Sequence, residues 1–246
     1  VGWNSLSGTQ GEIDFPHKLI VKFKELDYFK TNPDNIQLFD AGKERNAFTA
    51  LYKTDKSSDT VVLISHFDTV GTEEYGQLQD LAFNPEKLTQ AFRDNPDFLT
   101  PDAKEDLYTD QYIFGRGTMD MKMGLALHMH LIEQAVNEDW PVNLLLVTVP
   151  DEEVSSRGML AAVPGILELS KTNNLNLKLF LNGEPSFTQQ PLDENHYIYS
   201  GSIGKILPAA LFYGVPTHAG EPLNGITSHF ISSYLPYSLS ATLLSV

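Results

Sequence analysis

An α/β fold is predicted for this 246-residue chain: a mostly parallel mixed sheet with helices on both faces. Three observations carry that expectation. Short, nearly all-apolar runs at Val61 to Ile64, Val142 to Val149 and Leu177 to Leu181 have the length and continuity of strands buried on both faces. Longer segments of helical periodicity alternate with them, as in parallel sheets. Each run ends in a histidine or a carboxylate, and open α/β sheets bind ligands at the carboxyl ends of their strands.

The elements follow in order. Thr9 and Glu12 have capping-box spacing, and Ile13, Leu19, Ile20, Phe23 and Leu26 mark a helical face up to about Phe29, with Pro16 interrupting its start. Asn32 to Asn35 is a loop. Phe48 to Tyr52 alternates like a strand and is followed by a polar turn. The strand Val61 to Ile64 runs into Ser65-His66-Phe67-Asp68. Residues 71 to 110 form a long polar and aromatic connection with a helix at Asn84 to Phe92, and connections of this length are usually functional. Tyr112 to Phe114 reads as a short strand entering a glycine-containing turn with Asp120 at its tightest point. A helix from Met121 to Val136 comes next. The strand Val142 to Val149 ends in Pro150-Asp151-Glu152-Glu153. A helix at Gly158 to Ser170, bent near Pro164, leads to the strand Leu177 to Leu181 and to Gly183-Glu184-Pro185. From Gly201 the texture changes to a hairpin and a helix, the expected start of a smaller α+β domain. The expected division is therefore 1–200 and 201–246.

Composition narrows the function. The hydrophobic fraction of 41% supports a real core, and the net charge of −15 argues against nucleic acid or an anionic membrane as partner. With no cysteine, disulfides, thiolate metal sites and a cysteine nucleophile are excluded. Any metal must be held by His, Asp and Glu, a donor set suited to catalytic sites. No apolar run is long enough to span a bilayer. The first residues lack both a Met and a signal-peptide pattern, so the natural start is expected upstream and the location in the cytoplasm.

His66-x-Asp68, Asp120, Glu152-Glu153 and Glu184 fall at four expected strand ends. Carboxylates gathered without compensation repel one another, and a divalent cation relieves that repulsion. His66 reads as a ligand with Asp68 orienting its ring. Asp120 is able to bridge two metals, and of Glu152 and Glu153 one coordinates while the other serves as general base. Taken singly, each motif is more often a hydrogen-bonded pair, a helix start or a turn acid. Their joint occurrence favours the metal reading.

The stretches Ser65-His66-Phe67-Asp68-Thr69-Val70, Gly115 to Gly124, Asp151-Glu152-Glu153 and Gly183-Glu184-Pro185-Ser186 resemble the two-zinc superfamily of aminoacylases, acetylornithine deacetylases, succinyl-diaminopimelate desuccinylases and carboxypeptidase G. The spacer with Glu74-Tyr75-Gly76 and Leu81 to Pro85 looks most like its arginine-utilisation branch. The resemblance implies a zinc-exopeptidase-like fold and amide hydrolysis of an N-acyl amino acid or small peptide. It implies two zinc ions, with cobalt or manganese as substitutes. His66, Asp120 and Glu184 hold one ion, and Asp120 and Glu153 the other. Asp68 orients His66, Glu152 is the base, and the peptide after Asp120 is a candidate for cis geometry. Gly201-Ser202-Ile203-Gly204 and Thr217-His218-Ala219-Gly220 match the start of a lid and dimerisation domain, from which His218 reaches the partner's active site in a homodimer. The family's second site needs a further histidine beyond this chain's end, so the chain is expected to be a fragment with an incomplete second site. The competing expectations are an inactive metal-binding fragment, a two-metal phosphoesterase and an α/β interaction module.

Overall fold

A computed structural model describes residues 2–186 and 197–201. The chain divides into two units, Val1–His196 and Tyr197–Val246, and the sheet and its covering helices belong to the first. The expected hairpin, helix and His218 of the second unit lie outside the described residues.

Among the described residues, five strands form one sheet: β1 Ile36–Gly42, β2 Arg45–Tyr52, β3 Asp59–His66, β4 Asn143–Val149 and β5 Asn176–Asn182. Their spatial order is β1-β2-β4-β3-β5. The centre is parallel, β4 to β3 and β3 to β5, whereas β1 and β2 form an antiparallel hairpin that also runs antiparallel to β4. The sheet is thus mixed, as expected, with its parallel part confined to the three strands that end in the candidate motifs.

Strand β1 was not expected. Its hairpin turns at Lys43 and Glu44, both in the left-handed region (φ 53° and 61°). That geometry normally calls for Asn-Gly, so the residues give no turn signal. The expected alternation of Phe48 to Tyr52 is also absent, because that stretch of β2 is buried throughout. Neighbouring elements cover both of its faces.

On one face, helix α1 Gln10–Phe23, the short helix α2 Asp27–Thr31 and helix α5 Met123–Glu138 cover Phe48, Ala50, Leu63, Leu144 and Leu146. On the other, helix α6 Arg157–Thr172 covers Ala47, Leu51, Val62, Leu145 and Val147. The alternation of odd and even residues between the two layers follows from the two-residue period of a strand. Leu146 is fully buried, and its truncation to Ala is expected to cost about 2–5 kcal/mol.

Several local expectations change. The first helix ends at Phe23 and resumes as α2. Thr9 makes no capping bond: its hydroxyl donates to Leu6 O, and Glu12 is buried and accepts from Gly8 N at 2.6 Å. Within 71–110 the expected helix is present as α3 Pro85–Asp94, joined by α4 Pro101–Thr109. Thr100 caps α4, and Pro101 fills its first turn, a signal legible in the sequence. Tyr112 to Phe114 is not a strand, and Tyr112 and Ile113 are more than half exposed. Asp120 therefore comes from an irregular turn, Thr118–Lys122, ahead of α5. The peptide Asp120–Met121 is cis. Among the described residues no helix is long and apolar enough to cross a membrane.

Candidate metal centre

The register of the sheet builds the site. His66, the last residue of β3, pairs with Val149, the last residue of β4. The loops that follow these two strands therefore start from one edge. Gly183 N donates to Ile64 O at 3.0 Å, which carries the residue after it, Glu184, to the same edge. Asp120 arrives from the opposite direction. Its turn starts at Gly117, whose φ of +70° and crowding by Thr69 leave no room for a Cβ. It runs into α5, in whose first turn lies Gly124, where a Cβ would lie 2.1 Å from Gly183 O. A glycine at 124 thus lets α5 start directly against the loop that bears Glu184.

These elements bring three ligand atoms together. His66, Asp120 and Glu184 offer one atom each, all within 4.8 Å of one another. His66 Nε2 lies 3.1 Å from Asp120 Oδ1 and 3.4 Å from Glu184 Oε1. Glu152 Oε2 stands 3.8 Å from the same nitrogen. His66 is 2% exposed, while Asp120 and Glu152 are nearly half exposed, so the cluster is a wet mouth on a buried base. Glu153 stands outside the converging trio. Burial raises the pKa of its carboxyl, and the charges of Asp120, Asp68 and Glu152 add to that rise. The Glu184 carboxyl is likewise raised by burial and by Asp120, Glu152 and Glu153.

The His66 ring is held from behind. Its Nδ1 is 3.1 Å from the Asp68 carbonyl oxygen and 3.4 Å from Asp68 Oδ1. Burial alone would depress its pKa. Asp68, Glu184 and Glu152 outweigh burial and raise it from 6.5 to about 9. Its backbone N–H is donated to Met121 Sδ at 3.0 Å.

Asp68 does more than orient a ring. Its fully buried carboxylate accepts Glu152 N at 3.1 Å on one oxygen, and Glu153 N at 3.2 Å and Ser7 Oγ at 2.9 Å on the other. Burial alone would raise its pKa, and His66, the Glu152 amide and the Ser7 hydroxyl bring it below the usual carboxylate value. Asp151 to Glu153 are not an extended strand end or a helix start. They form a turn, with Asp151 in the left-handed region and α6 beginning only at Arg157.

Sequence reasoning missed Arg45. It is 4% exposed, and its Nη1 donates to Asp151 Oδ1 at 2.6 Å and lies 3.6 Å from Glu12 Oε1. Its partners are distant in the chain, so no local pattern announces it. Lys122 is also buried, with Nζ donating to Trp3 O at 2.7 Å. Burial lowers its pKa to about 7.

One imidazole and two carboxylates suit a borderline divalent cation such as zinc, cobalt or manganese. The acids of the trio and its neighbours outnumber any positive partner among the described residues, and a bound cation offsets that excess. The donor set fits a metal.

Residues 62–195 match the peptidase family M20/M25/M40. The chain is 40% identical to protein YqjN of Bacillus subtilis (strain 168) over 95% of its own length and 43% of that protein's. It is 35% identical to protein RocB of the same organism, over 95% of its length and 42% of RocB's. It therefore spans less than half of these curated relatives. Among solved structures, the M20 family metallo-carboxypeptidase Sso-CP2 of Sulfolobus solfataricus aligns with a TM-score of 0.49 at 14% identity, covering 76% of this chain and 36% of that one.

Proposed function

The chain belongs to the peptidase family M20/M25/M40, and from that premise we propose that residues 1–200 form the metal-binding part of a zinc-dependent amide hydrolase. The substrate class is an N-acyl amino acid or a small peptide. The observation that carries this reading is the convergence of His66, Asp120 and Glu184 within 4.8 Å, with the Glu152 carboxylate 3.8 Å from the same histidine nitrogen.

His66, Asp120 and Glu184 would hold one cation, and Asp120 with Glu153 a second. When bound, the metal supplies Lewis acidity, lowering the pKa of water towards ~7 and polarising the scissile carbonyl. The chain's own residues do the rest. Glu152, half exposed at the mouth, takes a proton from the attacking water and later returns it to the leaving amine. Asp68 presents the His66 ring with Nε2 outward and, through the Glu152 amide, fixes the base relative to that ring. The roles given to His218 and residues 201–246, in reaching the partner's active site and in forming a homodimer, rest on the sequence resemblance.

The test is Glu152→Gln. Turnover of N-acyl amino acids should fall by about 10²–10⁴-fold, the usual contribution of a general base, while zinc content stays that of the parent. Loss of zinc in this variant would make Glu152 a ligand and sink its assignment as base.

A further inference from the structure

The turn that bears Glu152 and Glu153 is clamped by two buried acids. Three successive amides point inward: Asp151 N donates to Glu12 Oε1 at 2.9 Å, and Glu152 N and Glu153 N donate to the two oxygens of Asp68. The Asp151 side chain closes the clamp, accepting from Arg45 Nη1 at 2.6 Å and from Arg157 N at 3.2 Å. Arg45 also faces Glu12, which takes Gly8 N on its second oxygen. Glu12, Arg45 and Asp151 are each at least nine-tenths buried. They tie together three elements distant in sequence: the start of α1, the β1–β2 hairpin and the β4–α6 turn. Nothing in the chemistry proposed above uses Glu12 or Arg45. A buried guanidinium between two carboxylates is a costly device for stability alone, and a planar group with donors on Nη1 to Asp151 and on Nε to Gly42 O holds its partner in a defined geometry.

We propose that Glu12 and Arg45 are positioning residues for Glu152 and Glu153, acting through the backbone and side chain of Asp151. The proposal rests on the reading of Glu152 as base and Glu153 as ligand. Asp151 sits at φ +64°, uncommon for a residue with a side chain, and Glu12 and Arg45 are the groups from outside the β4–α6 turn that hold it there. Releasing either would let the turn relax and move Glu152 away from His66 Nε2, while the His66–Asp120–Glu184 trio, built on other elements, stays in place.

The test uses Arg45→Lys in the whole chain, with Glu12→Gln as a milder second variant should the first not fold. Lysine keeps the charge but not the planar group, whose Nη1 serves Asp151 while its Nε donates to Gly42 O at 3.4 Å. Two measurements are made: amide hydrogen exchange by NMR on the zinc-free protein, and zinc affinity with steady-state hydrolysis of an N-acyl amino acid. The expected result is exchange at Glu152 and Glu153 faster by tenfold or more, with Leu145 and Leu146 in β4 unchanged. In parallel, kcat should fall about tenfold while KM and zinc affinity at the trio stay within twofold. Two outcomes overturn the proposal: retained protection at both amides, or a rise in exchange shared equally by β4, which would mean general destabilisation. If the parent chain shows no hydrolysis, the functional reading bears that failure and the exchange measurement alone decides the positioning role.

Discussion

Two groups of acids lie within the same sheet edge, and they are solved in opposite ways. Glu12 and Asp151 are buried and share Arg45. Asp120, Glu152, Glu153 and Glu184 gather around His66 at a mouth open to water, and the carboxyls of Glu153 and Glu184 are raised by their neighbours. The first group is complete without a ligand. The second has more negative charge than the described residues supply cations to meet, and the deficit is what a metal would fill. The difference separates an ion cluster that maintains shape from one that invites a partner.

The contrast is sharpest when the arginine is removed. Arg45→Met leaves two buried carboxylates without a counter-charge, and urea unfolding should show a loss of about 3–5 kcal/mol. A loss below about 1 kcal/mol would mean that the inner cluster was never neutralised by Arg45. Zinc should act on the outer cluster alone. At a hundredfold excess over Kd it should stabilise the chain by about 2.7 kcal/mol, with chelator reversing the gain, and it should do so equally in Glu12→Gln.

Acidity offers a third probe, in the metal-free chain. The His66 pKa is raised from 6.5 to about 9. The folded value exceeds the unfolded one, so its contribution to stability is full below pH 6.5 and is lost as pH rises through about 9. Zinc must displace the same proton. Its affinity should therefore climb with pH and level off near 9, as followed by calorimetry beside the His66 ring signals in NMR. The smallest effect has the opposite sign from the first. Glu184→Gln should stabilise the metal-free chain by no more than about 1 kcal/mol, because water screens a side chain one-third exposed. The same change should weaken zinc binding at least tenfold.

What the sequence disclosed depended on how local the cause was. Strands β3, β4 and β5 were legible because their apolar runs are continuous, and the positions of His66, Glu152 and Glu184 followed from them. Strand β1 was hidden by a turn of Lys43 and Glu44, residues that do not announce positive φ. Asp120 was identified as a ligand candidate by its glycine-bounded motif, although the strand thought to precede it is absent. Arg45 was invisible because its bond to Asp151 spans 106 positions, and the Glu12 bond to Asp151 N spans 139. The capping-box spacing of Glu12 even pointed to the wrong partner. Residue patterns report neighbours within a turn or two of the chain, whereas buried ion clusters are written by topology.

The outermost strand has a practical consequence. Among the described residues β5 stands at the end of the sheet, and Leu179, Phe180 and Leu181 are each between two-fifths and three-fifths exposed. A bare strand edge flanked by apolar side chains is a template for adhesion between copies. Such an edge works against the solubility that the net charge of −15 confers. Light scattering should rise steeply with protein concentration. Phe180→Lys, a charge on that edge, should flatten the curve without touching the metal centre.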